Sequence, residues 1–163
     1  MDEYKLVPGL EHPDEIAALF DEYTRMLVDC DSRFRKYLDI QHYDDELRRL
    51  ETKYAPPGGR LYLLLRGNEA AGCVALRRID GQRGELKRLY VRPAFRGKGL
   101  GRLLAERIIN DAREIGYSQL LLDTMPCLTA ARQLYRELGF YEIPCYNDSP
   151  LDDTVFLRLD LVS

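Results

Sequence analysis

What this chain lacks removes several classes of function. No apolar run approaches a membrane-spanning length, and the amino-terminal stretch MDEYKLVPG has no apolar signal region, so cytoplasm is the default compartment and no membrane partner is expected. Basic residues are in no excess. The 24 Lys and Arg against 27 Asp and Glu leave a formal net charge of −3, which argues against a general nucleic-acid binder. Histidine is limited to His12 and His42, and the four cysteines, Cys30, Cys73, Cys127 and Cys145, are dispersed without a C-x-x-C pair. No metal site is expected from such a set, and in a reducing cytosol the cysteines read as free thiols. Cys73 reads as a buried strand residue and Cys127 as an ordinary small loop residue, with exposure near a site as its other reading. No internal repeat or low-complexity segment is visible.

What is present is the composition of a soluble globular protein, 45% hydrophobic and 31% charged. The 163 residues suffice for one core that buries about 70% of the unfolded surface, so residues 1–163 are expected to form a single domain. Charge is unevenly spread: between Arg83 and Arg102 there are seven basic residues and one acid, Glu85. A concentrated positive patch on an acidic protein points to a small polyanionic ligand.

That patch belongs to the stretch Gly84–Gly116, GELKRLYVRPAFRGKGLGRLLAERIINDAREIG, which reads as strand, tight loop and helix. Glu85–Arg92 alternates around Leu89 and Val91, and Pro93 ends the ladder because it has no N–H to donate. Leu100, Leu104, Ile108, Ala112 and Ile115 recur at helical spacing, with Gly116 where a C-terminal cap glycine belongs. Between strand and helix lie Arg96, Gly97, Lys98, Gly99, Leu100, Gly101 and Arg102. Three alternating glycines leave no Cβ between the unpaired N–H groups of the helix entry and an incoming phosphate, and the three basic side chains add full charges at the same point. Spacing excludes two common phosphate loops: Lys98 is followed by Gly99 rather than Ser or Thr, and Arg102 stands where a dinucleotide fingerprint needs glycine.

The pattern Arg-x-x-Gly-x-Gly from Arg96 to Gly101, after Leu-Tyr-Val-Arg-Pro and before an amphipathic helix, resembles the acetyl-CoA pyrophosphate loop of the GNAT acetyltransferases. Ala131-Arg132-Gln133-Leu134-Tyr135-Arg136-Glu137-Leu138-Gly139-Phe140 resembles the same family's later helix, A-x-x-L-Y-x-x-x-G-F. The resemblance covers roughly Gly58 to Leu161 in order of elements and is weak before that.

The remaining elements follow from pattern and breakers. Tyr4–Val7 is a short strand ended by Pro8-Gly9, and Pro13 opens a helix with Ile16, Leu19, Phe20, Tyr23 and Leu27 on one face. A second, more polar helix is expected near Asp44–Thr52, and Ala55–Gly59 is a turn. Leu61–Arg66, Ala71–Ile79 and Glu85–Arg92 form an antiparallel meander. Gln119–Asp123 is a strand parallel to the Glu85 strand through a right-handed crossover. Phe140–Ile143 and Thr154–Leu161 form a closing hairpin with a long loop. The expected fold is an α/β (α+β) single domain, a mixed and mostly antiparallel sheet of six to seven strands flanked by about four helices.

The resemblance implies a function: transfer of acetyl from acetyl-CoA, as cosubstrate, to a primary amine. It implies that the Glu85 and Gln119 strands splay after a bulge, and that the coenzyme meets Leu89, Tyr90 and Val91, the loop from Arg96 to Arg102, and Thr129 and Arg132 of the later helix. It places Tyr135 at the family's tyrosine position, where a phenol assists the departing thiolate. Glu85 lies eleven residues before Arg96, the spacing at which the histone-acetylating branch of the family places its glutamate base. An ordered water chain, with Glu85 only an ion-paired strand residue, is the other reading. Leu128 stands where family members often carry a coenzyme-contacting asparagine, and Thr129 is a candidate helix N-cap there. Arg33 and Arg35 fall in the segment that commonly lines the acceptor pocket, which would suit an acceptor with an anionic group. A small amine or amino-acid-like metabolite is the first choice of acceptor and a protein lysine or N-terminus the second, with homodimer formation left open. The rival class is a non-catalytic acyl-CoA-binding sensor or interaction module.

Overall fold

A computed structural model of the chain describes residues 3–33, 48–147 and 153–161. Its frame is one seven-stranded sheet. The strands are β1 (Tyr4–Pro8), β2 (Arg60–Arg66), β3 (Glu69–Arg78), β4 (Arg83–Val91), β5 (Gln119–Thr124), β6 (Tyr141–Ile143) and β7 (Val155–Asp160), in the order β1-β2-β3-β4-β5-β7-β6. Every neighbouring pair is antiparallel except β4 with β5. The described α-helices are α1 (Pro13–Cys30), α2 (Leu50–Tyr54), α3 (Leu100–Ile115) and α4 (Thr129–Glu137). The expected mixed sheet flanked by helices is therefore observed. The second helix begins at Leu50, and residues 34–47, which include Arg35 and the start of the expected Asp44–Thr52 helix, lie outside the described residues.

Strand alternation divides the core into two layers. Leu61 and Leu63 of β2, with Cys73 and Ala75 of β3, turn toward Ile16, Leu19 and Phe20 of α1 and Tyr54 of α2. Tyr62, Leu64, Val74 and Leu76 turn the other way, toward Leu104, Ala105 and Ile108 of α3. Central strands buried on both faces read as nearly continuous apolar runs. Pro at the first position starts α1 with its missing donor harmless there. Gly116 ends α3 at φ +107°, with its N–H shared between the carbonyls of Ala112 and Arg113, as the cap spacing predicts.

One sequence reading is overturned. Cys30, the last residue of α1, and Cys127, between β5 and α4, are joined in a disulfide rather than held as free thiols. The fold brings together two positions 97 residues apart, and no local pattern reports that distance. Cys73 is buried in β3, as expected.

Candidate active site

Two local features open the sheet at its centre. β4 and β5 pair only at Arg83–Gln119, Gly84–Leu120 and Glu85–Leu121, after which each remains paired only to its outer neighbour. Beside this point β4 carries a bulge: Ala75 pairs with Lys87 and Cys73 with Tyr90, so Arg88 and Leu89 together face Val74. Arg88 sits at φ +60°, and its carbonyl accepts the Cys73 thiol at 3.3 Å. The bulge turns the strand, and the two strands diverge into a V.

A cavity of about 440 Å³ fills the V. One wall is the β4 edge, Leu89, Tyr90 and Val91, and its entrance is formed by Arg96, Gly97, Gly99, Leu100 and Gly101. The opposite wall comes from Asp123 and Thr124 of β5, Cys127, Leu128 and Thr129, and Leu134 and Tyr135 of α4. Tyr23 and Met26 of α1 close the side.

The entrance is built for an anion. Gly97 and Gly99 lie at φ +79° and +76°, backbone conformations that L side chains rarely adopt, and a Cβ at either would project into open space. The first backbone bond into α3 runs from Leu103 N–H to the Gly99 carbonyl, so the N–H groups of Leu100, Gly101 and Arg102 precede the helical ladder and carry the positive end of a sixteen-residue dipole. Arg96 stands over the Tyr90 ring and donates its Nε to the Val91 carbonyl at 2.9 Å. These residues fit a diphosphate-bearing coenzyme: bare backbone donors, an open approach and flanking charge.

Not every predicted contact lines the cavity. Lys98 and Arg102 are outside its wall, Arg102 lying within 3.5–3.6 Å of Glu106 and Glu137. Arg132 also lies outside and donates to the Pro126 carbonyl. Thr129 lines the wall but is the first residue of α4, not its cap; Leu128 occupies the cap position without a side-chain hydrogen bond. Arg33 forms a fork with Asp31 (Nε to Oδ1, 3.0 Å) and also reaches Asp153 at 3.0–3.1 Å, so its guanidinium is already engaged by two carboxylates.

The two proposed proton carriers are differently placed. Tyr135 is in the cavity wall, buried edge-on against Phe140, and burial pushes its phenol well above the ordinary tyrosine value, with Tyr23 and Asp123 adding to the shift. Glu85 is not in the wall. It is 3% exposed, with Arg77 Nε at 3.0 Å, Lys87 Nζ at 3.7 Å and the Tyr146 hydroxyl at 2.6 Å. Burial pushes the Glu85 carboxyl up, but Lys87, Arg77 and the Tyr146 hydrogen bond outweigh it and hold the group below the usual glutamate range.

Sequence reasoning passed over Asp123. It is the one carboxylate in the wall among the described residues, two positions beyond the last β4–β5 pair, and its Oδ2 accepts the Asn147 amide at 2.8 Å. A lone acid closing the apolar run Leu120-Leu121-Leu122 was the available signal.

The acetyltransferase (GNAT) family model matches residues 16–140. The chain belongs to the GNAT family of N-acetyltransferases. An uncharacterised N-acetyltransferase of Schizosaccharomyces pombe is 38% identical over 144 residues, spanning 86% of this chain and 88% of its own. Among solved structures, an acetyltransferase from Streptococcus agalactiae superposes with a TM-score of 0.77 at 23% identity, covering 97% of this chain and 98% of its own. A GNAT family acetyltransferase from Elizabethkingia anophelis with acetyl-CoA bound superposes at 0.55 with 25% identity, covering 64% of this chain and 77% of its own. With this membership the chain is an acyltransferase enzyme, and a purely non-catalytic module is the weaker class.

Proposed function

We propose that this GNAT enzyme transfers the acetyl group of acetyl-CoA directly to the primary amine of a small, amino-acid-like metabolite. The observation that carries the reading is the single cavity running from the glycine loop, past the unpaired edge of β4, to Tyr135 and Asp123. Acetyl-CoA is also the molecule bound by the Elizabethkingia anophelis relative.

In this reading the N–H groups of Leu100, Gly101 and Arg102 hold the pyrophosphate, with Arg96 and Lys98 supplying charge. The β4 edge between Leu89 and Val91 pairs with the amides of the pantetheine arm as an added strand would, Arg96 yielding the Val91 carbonyl. A backbone N–H near Leu89 or Tyr90 stabilises the developing oxyanion.

An aliphatic amine with a pKa of about 10.4 arrives protonated at neutral pH and must lose that proton before attack. Asp123 is the better acceptor of it. Glu85 has the right spacing, but it lies outside the cavity wall and its oxygens serve Arg77 and Tyr146. Tyr135 stays protonated throughout the working range and donates a hydrogen bond to the departing thiolate. With its pKa raised above that of a thiol, stabilisation by that bond is favoured over complete proton transfer.

The acceptor enters from the face shared by α1 and β4. Arg77 and Lys87 together outweigh Glu85 there, and Arg88 stands over the Phe20 and Tyr23 rings at 5.4 and 6.0 Å. The guanidinium forks of Arg77 and Arg88 and the Lys87 ammonium on that face suit an amine carrying an anionic group, the role that Arg33 and Arg35 held in the sequence reading. The test is thiol release from acetyl-CoA with a panel of amines. Anionic amino acids should be consumed faster than uncharged or polycationic amines; the opposite order would contradict the acceptor class.

A further inference from the structure

The Cys30–Cys127 bond lies at the cavity, not at a remote edge. Cys30 ends α1, the helix whose Tyr23 and Met26 close the side of the cavity, and Cys127 itself lines the wall formed by β5 and α4, beside Leu128. Their Cα atoms are 6.2 Å apart, within the span of about 4.4–6.8 Å that a disulfide needs.

Among the described residues, other attachment between α1 and the β5–α4 turn is slight. The first half of α1 is anchored deep, through Ile16, Leu19 and Phe20. Its second half meets the β5–α4 turn through a small cluster in which only Leu27 and Met125 are buried. The turn has one backbone bond of its own, Leu128 N–H to the Met125 carbonyl at 3.0 Å. A covalent link at this point therefore sets the separation of α1 and the turn, and among the described residues its loss leaves that separation to a few apolar contacts.

We propose that Cys30 and Cys127 are a reversible thiol–disulfide exchange site that controls the coenzyme cavity. The oxidant is a low-molecular-weight disulfide. The thiolate of one cysteine attacks it, forming a mixed disulfide and expelling one small thiolate; the second cysteine thiolate attacks the protein sulfur of that mixed disulfide and expels the other. Two electrons pass from the protein sulfurs to the small disulfide, and the two protein protons end on the two released thiols. A small dithiol reverses the sequence.

The oxidised form has the walls pre-positioned, so it binds acetyl-CoA without first ordering the turn; the reduced form must order it on binding and binds more weakly. This affinity effect rests on the coenzyme reading of the cavity, whereas bond formation and its effect on the turn do not. Of the other thiols, Cys73 is buried in β3, with burial pushing its pKa up to about 12, and Cys145 is exposed, so Cys145 is the competing partner that a control must remove.

The experiment uses the full chain, equilibrated with glutathione disulfide or with dithiothreitol, together with Cys30→Ser and Cys145→Ser variants. Peptide mass mapping without reduction should find Cys30 linked to Cys127 in the oxidised protein and in oxidised Cys145→Ser, and both free after dithiothreitol. Amide hydrogen exchange in residues 125–130 should quicken on reduction. The Kd for acetyl-CoA should rise on the order of tenfold on reduction. Cys30→Ser should match the reduced protein in dithiothreitol and, lacking the second thiol, should stop at a mixed disulfide on Cys127 in glutathione disulfide; an unmodified Cys127 there would contradict the exchange step. Alkylation of both cysteines in the oxidised protein overturns the proposal, as does a formed bond that changes neither exchange nor Kd. If neither redox form binds acetyl-CoA, the coenzyme reading fails, and the exchange measurement decides the cysteine site.

Discussion

The hydroxyl of Tyr146 donates to Oε2 of Glu85 at 2.6 Å, and the next residue, Asn147, donates to Asp123 at 2.8 Å. Two adjacent residues of the β6–β7 connection thus hold one carboxylate on β4 and one on β5, on either side of the point where those strands part.

The first of these bonds should show in stability. Because the folded-state pKa of Glu85 is depressed, its contribution is fully present above the unfolded value of about 4.3 and is lost as pH falls through the lower folded value. Glu85→Gln should therefore lower unfolding free energy at neutral pH and flatten the acid limb of the stability curve. Tyr146→Phe, which deletes a hydrogen bond to a buried charge, should cost about 1.5–3 kcal/mol. Urea unfolding across the acid range measures both. An acid limb in Glu85→Gln as steep as in the wild type would show that Glu85 carries no such pairing.

Asp123 and Glu85 are separated by pH–rate profiles. If Asp123 takes the amine's proton, Asp123→Asn keeps the shape and deletes the base, so kcat/KM should fall by about 10²–10³ at neutral pH, with the loss shrinking as pH rises and the amine deprotonates unaided. Glu85→Gln should alter the profile far less than it alters stability. A reversed pattern would return the base to Glu85.

Tyr135→Phe should lose about 10²-fold in kcat, and the deficit should persist at pH values where the amine is fully deprotonated, because a missing donor to the thiolate is not restored by raising pH. A deficit that vanishes at high pH would place Tyr135 on the amine side of the reaction instead.

The glycine loop offers a test in which fold and ligand effects part. A Cβ at Gly101 meets only Leu134 Cδ2 at 3.5 Å, an ordinary contact, and Gly101 is helical. Gly101→Ala should leave stability unchanged or raise it by up to about 1 kcal/mol, since alanine is the better helix former, while weakening acetyl-CoA binding measured by calorimetry. Gly99→Val should lose both, because Gly99 sits at φ +76°. Wild-type affinity in Gly101→Ala would mean that the loop admits its ligand by another approach.

The sequence made the loop and its flanking elements legible because their requirements are local. Alternating glycines, a proline after a strand and a cap glycine each answer to backbone geometry within a few residues, and Gly97, Gly99 and Gly116 do take the positive φ they permit. Asp123 left only a weak mark, a lone acid after an apolar run, and the cysteine pair left none, because their roles depend on contacts across the fold. Nothing near Glu85 announces Tyr146, 61 residues later, and nothing near Cys30 announces Cys127. Counting from Arg96 located Glu85, but it could not reveal that its oxygens were already engaged.

The claim that the cavity passes acetyl straight from coenzyme to amine is tested most directly by initial velocities over a grid of acetyl-CoA and acceptor concentrations, with thiol and acetylated amine measured together. Direct transfer requires both substrates in the cavity at once, so double-reciprocal lines should intersect, and the two products should appear in equal amounts. Parallel lines would mean that acetyl is first parked on the protein. Thiol released at the same slow rate whatever amine is present would mean that the cavity does not perform the transfer.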